Sequence, residues 1–290
     1  MAEYIDLRQV KREARELLRD AQVPPRKFFT LYLALVWLMN LASYFANNSG
    51  GGIPALSNPL GLFVWILVSL LALILEAGCW LYCAAIRRGE RTEYLTLFDG
   101  FSFAGRLILL YLAKMMFVFL WSLPSGMIFS VLLMMYEQEI FLFSPLMILL
   151  FIPPVVALYR YRFAILNLCE DPNLGVMETL NMSKRQTFGY KGQLFSLDLS
   201  FLGWMVLSSL PSIYLYAAEY LSMLDIFLPE LPLGLSLPLQ VIVPIIVGAL
   251  YLPLYQTSEL AYFETAKRTS GMDSRSRLED HGPDDLGGYF

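Results

Sequence analysis

The chain has 290 residues, 57% of them hydrophobic and only 16% charged, with a net charge of −4 and a mean hydropathy of +0.55. An ordinary soluble domain carries about 25% charged residues, whereas here the apolar residues fall in blocks of about 20, the length a helix needs to cross roughly 30 Å of hydrocarbon. Composition excludes a soluble domain and points to an all-α, polytopic transmembrane bundle. Three cysteines (Cys79, Cys83, Cys169) without a CxxC pair speak against a disulfide framework, and a lone histidine, His281, against a His-based catalytic or metal site.

The stretch from Glu3 to Ala21 is charged, yet Leu7, Val10, Ala14, Leu17, Leu18 and Ala21 form one helical stripe, with Arg8, Lys11, Arg12, Arg15 and Arg19 over the remaining surface. It has neither the apolar run nor the small-residue cleavage site of a signal peptide. Two readings of this amphipathic helix stay open. It lies on an anionic cytoplasmic leaflet, or it packs on its own protein. Pro24 and Pro25 end it, so residues 1–25 make a first segment.

Apolar spans follow at about 28–46, 59–86, 106–136, 141–159, 193–218 and 236–263, giving about six crossings within a transmembrane domain of residues 26–268. The second and third exceed one crossing and are expected to tilt or to extend beyond the lipid. Pro124 with Gly126, Pro153, Pro154, Pro211, Pro244 and Pro253 predict bends. Such prolines either mark broken helices lining a cavity or, more often, kinks that neighbouring helices tolerate. The loops 46–58, 137–140 and 219–235 contain no Lys or Arg; their charges are Glu137, Glu139, Glu219, Asp225 and Glu230. The opposite side holds Arg87, Arg88, Arg91, Arg160, Arg162, Lys184, Arg185, Lys191, Lys267, Arg268 and the N-terminal basic run. By the positive-inside rule the protein sits in the cell membrane with both termini cytoplasmic. Residues 269–290, rich in Gly and Asp, read as a disordered tail. The triglycine Gly50–Gly52, without a preceding strand or a following Lys-Ser/Thr, reads as an external loop.

Two cytoplasmic elbows invite comparison. In RRGERTEYLTLFDGFSFAGR, Thr92 is expected to cap a short helix carrying Tyr94, Leu95, Leu97 and Phe98, ended by Gly100. In NLCEDPNLGVMETLNMSKRQTFGYKGQ, Asp171 is expected to cap an amphipathic helix over 172–187 that starts at Pro172. Leu174, Met177 and Leu180 share one of its faces, and Gly189 stops it. The parallel layout reads as a same-direction repeat of spans two–three and four–five, chance similarity of interfacial helices being the alternative.

The chain has no Walker A loop, GxSxG elbow, HExxH or Cys/His cluster. Four ionisable residues remain inside apolar spans: Glu76, Lys114, Asp198 and Glu259. Unpaired in lipid each is costly, so they are expected to face protein. Lys114 and Asp198 follow the basic flanks Arg106 and Lys191, while Glu259 and Glu76 precede Lys267 and Arg87. At 1.5 Å per residue, all four lie on the order of 10–16 Å from those flanks. The expectation is one layer in the cytoplasmic half, where Lys114 pairs with Asp198 or Glu76 and a remaining carboxylate is protonated or opens to a cavity. This cluster is either a substrate or proton site or a structural pin between helices.

From Tyr159 to Trp204 the pattern resembles an uncharacterised integral-membrane family of mostly Gram-positive bacteria, catalogued as domain of unknown function 975. The resemblance rests on Arg160, Arg162, Asp171, Pro172, Glu178, Ser183, Gly189, Lys191, Phe195, Asp198, Ser200, Phe201, Gly203 and Trp204. Tyr255, Ala261 and Phe263 partly match a later motif, and LRQVKREARELL resembles the family's opening helix. Gly192, Thr179 and Glu264 stand where the family has Trp, Ala and Tyr. The resemblance implies topology and no activity. Two functions are therefore expected in parallel: an adaptor or accessory protein organising partners or lipids through its elbows, or a small transporter or exporter with a polar site between helices. No activated nucleophile or metal site supports an enzyme, and no cofactor is implied. The expected partners are the bilayer, anionic head groups at its cytoplasmic face, and a membrane protein or a second copy, not nucleic acid.

Overall fold

The computed structural model describes residues 3–46, 58–135, 149–150, 152–222, 229 and 232–271, and every regular element among them is helical. In order these are α1 (Leu7–Arg19), α2 (Pro25–Ala46), α3 (Pro59–Arg88), a 3-10 helix (Tyr94–Phe103), α4 (Ala104–Met135), α5 (Ile152–Arg160), α6 (Ala164–Glu170), α7 (Val176–Gln186), α8 (Lys191–Ser222) and α9 (Leu233–Thr269). Five segments are long and apolar enough to cross a bilayer: Pro25–Ala46, Pro59–Arg88, Tyr94–Leu132, Lys191–Ala218 and Pro238–Thr269. The chain is thus a multi-pass helical membrane protein. The first part of the expected span at 141–159, residues 141–148, and residue 151 lie outside the described residues; α5 is its final part. Also outside are Gly50–Gly52, Glu137, Glu139, Asp225, Glu230 and the tail beyond Gly271, including His281.

The helix ends follow from local chemistry. Asn58 caps α3, its side chain accepting from Gly61 N–H at 3.0 Å, and Pro59 takes the first turn, where its missing N–H costs nothing. Gly89, at φ 71°, closes the same helix in the left-handed region behind Arg87 and Arg88, which complement the helix dipole. Helices α4, α8 and α9 run on through Pro124, Pro211, Pro238, Pro244 and Pro253. Large apolar side chains such as Leu38, Phe63, Phe119 and Leu202 stay exposed, as on helices that face lipid.

The chain divides into two compact units. One, the polar-core unit, comprises Asp6–Ser102 and Ser196–Leu260; the other, the elbow unit, comprises Met1–Ile5, Phe103–Phe195 and Ala261–Phe290. In the polar-core unit α2 packs along α3, and α1 also rests on α3. Val10 and Ala14 of α1 are buried while Arg8, Arg12, Arg15 and Arg19 stay exposed, so the apolar stripe of α1 packs on its own protein. Phe28 stacks on Tyr82 at 3.9 Å, and the Tyr82 hydroxyl donates to the Val23 carbonyl at 2.7 Å, fixing the turn before α2. The first elbow is not a capped helix ended by Gly100. Gly100 lies within the 3-10 helix, and a Cβ there would meet the Ile74 carbonyl oxygen at 2.5 Å. Gly78 on α3 approaches the Leu97 backbone still more closely. These glycines serve backbone contact, not termination.

In the elbow unit α4 packs against α5, α6 and α7, and α6 against α7. The second elbow corrects another expectation. Its helix begins at Val176 behind an extended Gly175 (φ −68°, ψ 144°), not at Pro172. Asp171 instead closes α6, and its Oδ1 accepts from Asn173 N–H at 2.9 Å, an Asx turn that competes with capping a helix at Pro172. Gly189, at φ 86°, lies in the turn that follows α7.

Candidate functional site

The elbow is assembled around one helix end. The last carbonyls of a helix have no intrahelical donor, and at the end of α5 the Arg160 carbonyl accepts from two side chains, Ser183 Oγ at 3.1 Å and Thr187 Oγ1 at 3.2 Å. Ser183 Oγ also accepts from Phe163 N–H at 3.1 Å. Beside them Asn167 and Gln186 exchange two amide hydrogen bonds, both 2.8 Å. All four side-chain partners are buried. A buried polar network with its members satisfied is rigid and specifies one arrangement, so α7 is held in fixed register on α5 and α6. Arg106 ties the same elbow to α4 by donating to the Pro172 carbonyl and to Asn173 Oδ1.

The outer face of α7 carries a different set. Met177 is 55% exposed and Phe188, just beyond the helix, 82% exposed; Glu178, Lys184 and Arg185 are exposed as well. Glu178 in the first turn and Lys184 with Arg185 in the last complement the helix dipole. Arg162 lies over the Tyr159 ring at 5.3 Å, and Arg160 over Trp121 at 6.0 Å and Tyr161 at 5.8 Å. Lys191 opens α8. Residues 3–5 are clamped to this unit: Gln193 accepts from Ile5 N–H and donates to the Glu3 carbonyl, while Tyr190 Oη accepts from Glu3 N–H.

The polar-core unit contains Glu76, Asp198 and Glu259; Lys114 belongs to the elbow unit, half-buried on α4. Gln256, Thr257, Ser258 and Glu259 are consecutive and all buried. Four residues in a row point to every side of a helix, so α9 is enclosed all round at this level. Gln256 Oε1 accepts from Cys83 Sγ on α3 at 3.7 Å. Asp198 on α8 accepts from the Tyr255 hydroxyl of α9 at 2.8 Å. The Phe201 ring meets Tyr255 edge-on at 5.4 Å, and Lys11 Nζ lies 4.1 Å from its centroid. Burial, and then the like charge of Arg15, hold the Lys11 ammonium below the usual lysine range. The family motif on α8 therefore faces two ways. Asp198 and Phe201 turn inward, whereas Gly203 and Trp204 are exposed and Ser200 bonds back to the Leu197 carbonyl.

Lys11, Cys83, Gln256, Asn167, Gln186 and Thr187 were not distinguishable as site residues by motif. Lys11 stands in a basic run, where its one signal is being a lysine among arginines; the two amide partners are separated by 19 positions. No curated protein and no solved structure matches the chain. The family model described as "Protein of unknown function (DUF975)" matches residues 1–269, nearly the full length and a range that includes the motif positions above, and the chain belongs to that family.

Proposed function

We propose that this protein is a membrane adaptor that presents α7 to partners or lipids at the cytoplasmic face. What supports this reading is a contrast between two sides of α7 and the turn that follows it: the inner side is locked by Ser183, Gln186 and Thr187, while Met177, Lys184, Arg185 and Phe188 are left exposed on a rigid base. A basic face with two apolar anchors suits a docking surface at the membrane boundary. The test is in-cell photocrosslinking from a benzoylphenylalanine placed at Phe188. The expected result is one discrete protein or lipid adduct that Lys184→Glu with Arg185→Glu reduces by about tenfold or more. No adduct, together with a small solute that stabilises the purified protein, would favour the alternative of a transporter with a polar site between helices.

The same reading takes six spans, both termini cytoplasmic, in the cell membrane. It is supported by the absence of Lys and Arg from 46–58, 137–140 and 219–235. Cysteines placed at Asn48, Glu137 or Asp225 should react with an impermeant maleimide on intact cells, and one at Lys184 only after permeabilisation. External labelling at Lys184 would reverse the topology.

A further inference from the structure

Helix α1 ends, and α2 begins, around a cleft of about 450 Å³ within the polar-core unit. Arg15, Arg19 and Arg26 line one part of it, and Leu18, Leu250, Pro253 and Leu254 supply an apolar wall. Among the described residues no carboxylate lines it. The volume lies in the roughly 300–1,000 Å³ range of ligand sites. Three arginines therefore share one cleft with no carboxylate in its lining, and like charges within a Debye length of one another repel. The like charge of Arg15 is already felt by Lys11 one turn earlier. An anion bound only by the folded state removes that penalty and stabilises the fold. Guanidinium forks match phosphate oxygens in two-point geometry. A bare phosphate satisfies the arginines but leaves the leucine wall empty; an amphiphile satisfies both. The cleft also borders Pro24 and Pro25, immediately before the first membrane-crossing helix, where phospholipid head groups lie.

We propose that this cleft is a discrete binding site for one anionic phospholipid, its phosphodiester held by Arg15, Arg19 and Arg26 and the start of an acyl chain laid against Leu250 and Leu254. The site is separate from α7 and stands whether or not α7 docks a partner.

The full-length protein, purified in neutral detergent, is exposed to equal amounts of phosphatidylglycerol and phosphatidylcholine and bound lipid is counted by native mass spectrometry. One retained phosphatidylglycerol is expected, preferred by about tenfold, with the preference close to parity in Arg15→Gln/Arg19→Gln/Arg26→Gln. Arg8→Gln/Arg12→Gln, which removes exposed arginines that do not line the cleft, should keep it. If the triple variant does not fold, Arg19→Gln and Arg26→Gln are read singly, each with a several-fold loss, alongside Leu254→Trp, which fills the apolar wall and keeps every charge. Parity in the unaltered protein, or equal loss in the Arg8/Arg12 variant, overturns the site. Displacement of the lipid by inorganic phosphate at equal concentration reassigns it to free phosphate and overturns the lipid assignment.

Discussion

Gly78→Ala should be among the most destabilising single substitutions in the polar-core unit. A Cβ on Gly78 would stand 2.0 Å from the Leu97 carbonyl oxygen, 2.6 Å from its carbon and 2.8 Å from its Cα. Every one of those atoms is backbone, so no rotamer change relieves the overlap; the 3-10 helix has to lift off α3. Overpacking a close-packed site costs typically about 1–3 kcal/mol, and a clash with a main chain held on both sides belongs at or above the top of that range. Gly105 on α4, with nothing within 4 Å of its would-be Cβ, is the matched control. Gly105→Ala should be neutral or gain up to about 1 kcal/mol from helix propensity. Thermal midpoints in detergent, read by size-exclusion of the folded fraction, separate the two. A Gly78→Ala midpoint equal to that of the unaltered protein would refute the seam.

The second large effect concerns the amide pair in the elbow. Asn167→Leu leaves both the Oε1 and the Nε2 of buried Gln186 without their partner, and Gln186→Leu does the same to Asn167. A stranded buried polar group costs roughly 1–3 kcal/mol, so each single variant, with two such groups, should lose more than either hydrogen bond contributes net. Replacing both partners with apolar side chains removes the stranded groups. Asn167→Leu/Gln186→Leu should therefore be more stable than either single variant, a favourable non-additivity of about 1–3 kcal/mol in a double-mutant cycle. Losses that simply add would show that the two amides do not depend on one another.

Span positions were legible because lipid imposes length and apolarity on a helix. The stretches 59–86 and 193–218 lie within α3 and α8, whose ends extend onto the basic flanks because backbone hydrogen bonding does not stop where the lipid does. Helix α6 was not legible: AILNLCE is short, and neither a span nor a capping signal marks it. Asp171-Pro172 looked like a helix start because both residue types favour one, yet Asp171 can also bond two residues on, and that local turn won. Gly100 carried two meanings, helix stop and close approach, and only the position of Ile74 decides between them. The pairs that build the elbow core join residues 19 to 27 positions apart, and no local pattern encodes such contacts. Of the acids expected inside spans, Glu259 is buried and Glu76 and Asp198 are half-buried; that Asp198 takes a tyrosine hydroxyl was beyond spacing arguments.

The unbroken polar turn at Gln256–Glu259 has a consequence for how the molecule is made. Ribosomal synthesis delivers α9 after α1–α8, and a nascent helix with these four residues in sequence has no rotation that hides them all from surrounding hydrocarbon. Cys83 of α3 and the segment that bears Asp198 emerge earlier and supply the polar neighbours that α9 meets in the finished protein. Docking onto helices already in place offsets the cost of exposing that turn to hydrocarbon, so membrane insertion and tertiary packing of α9 are expected to be coupled.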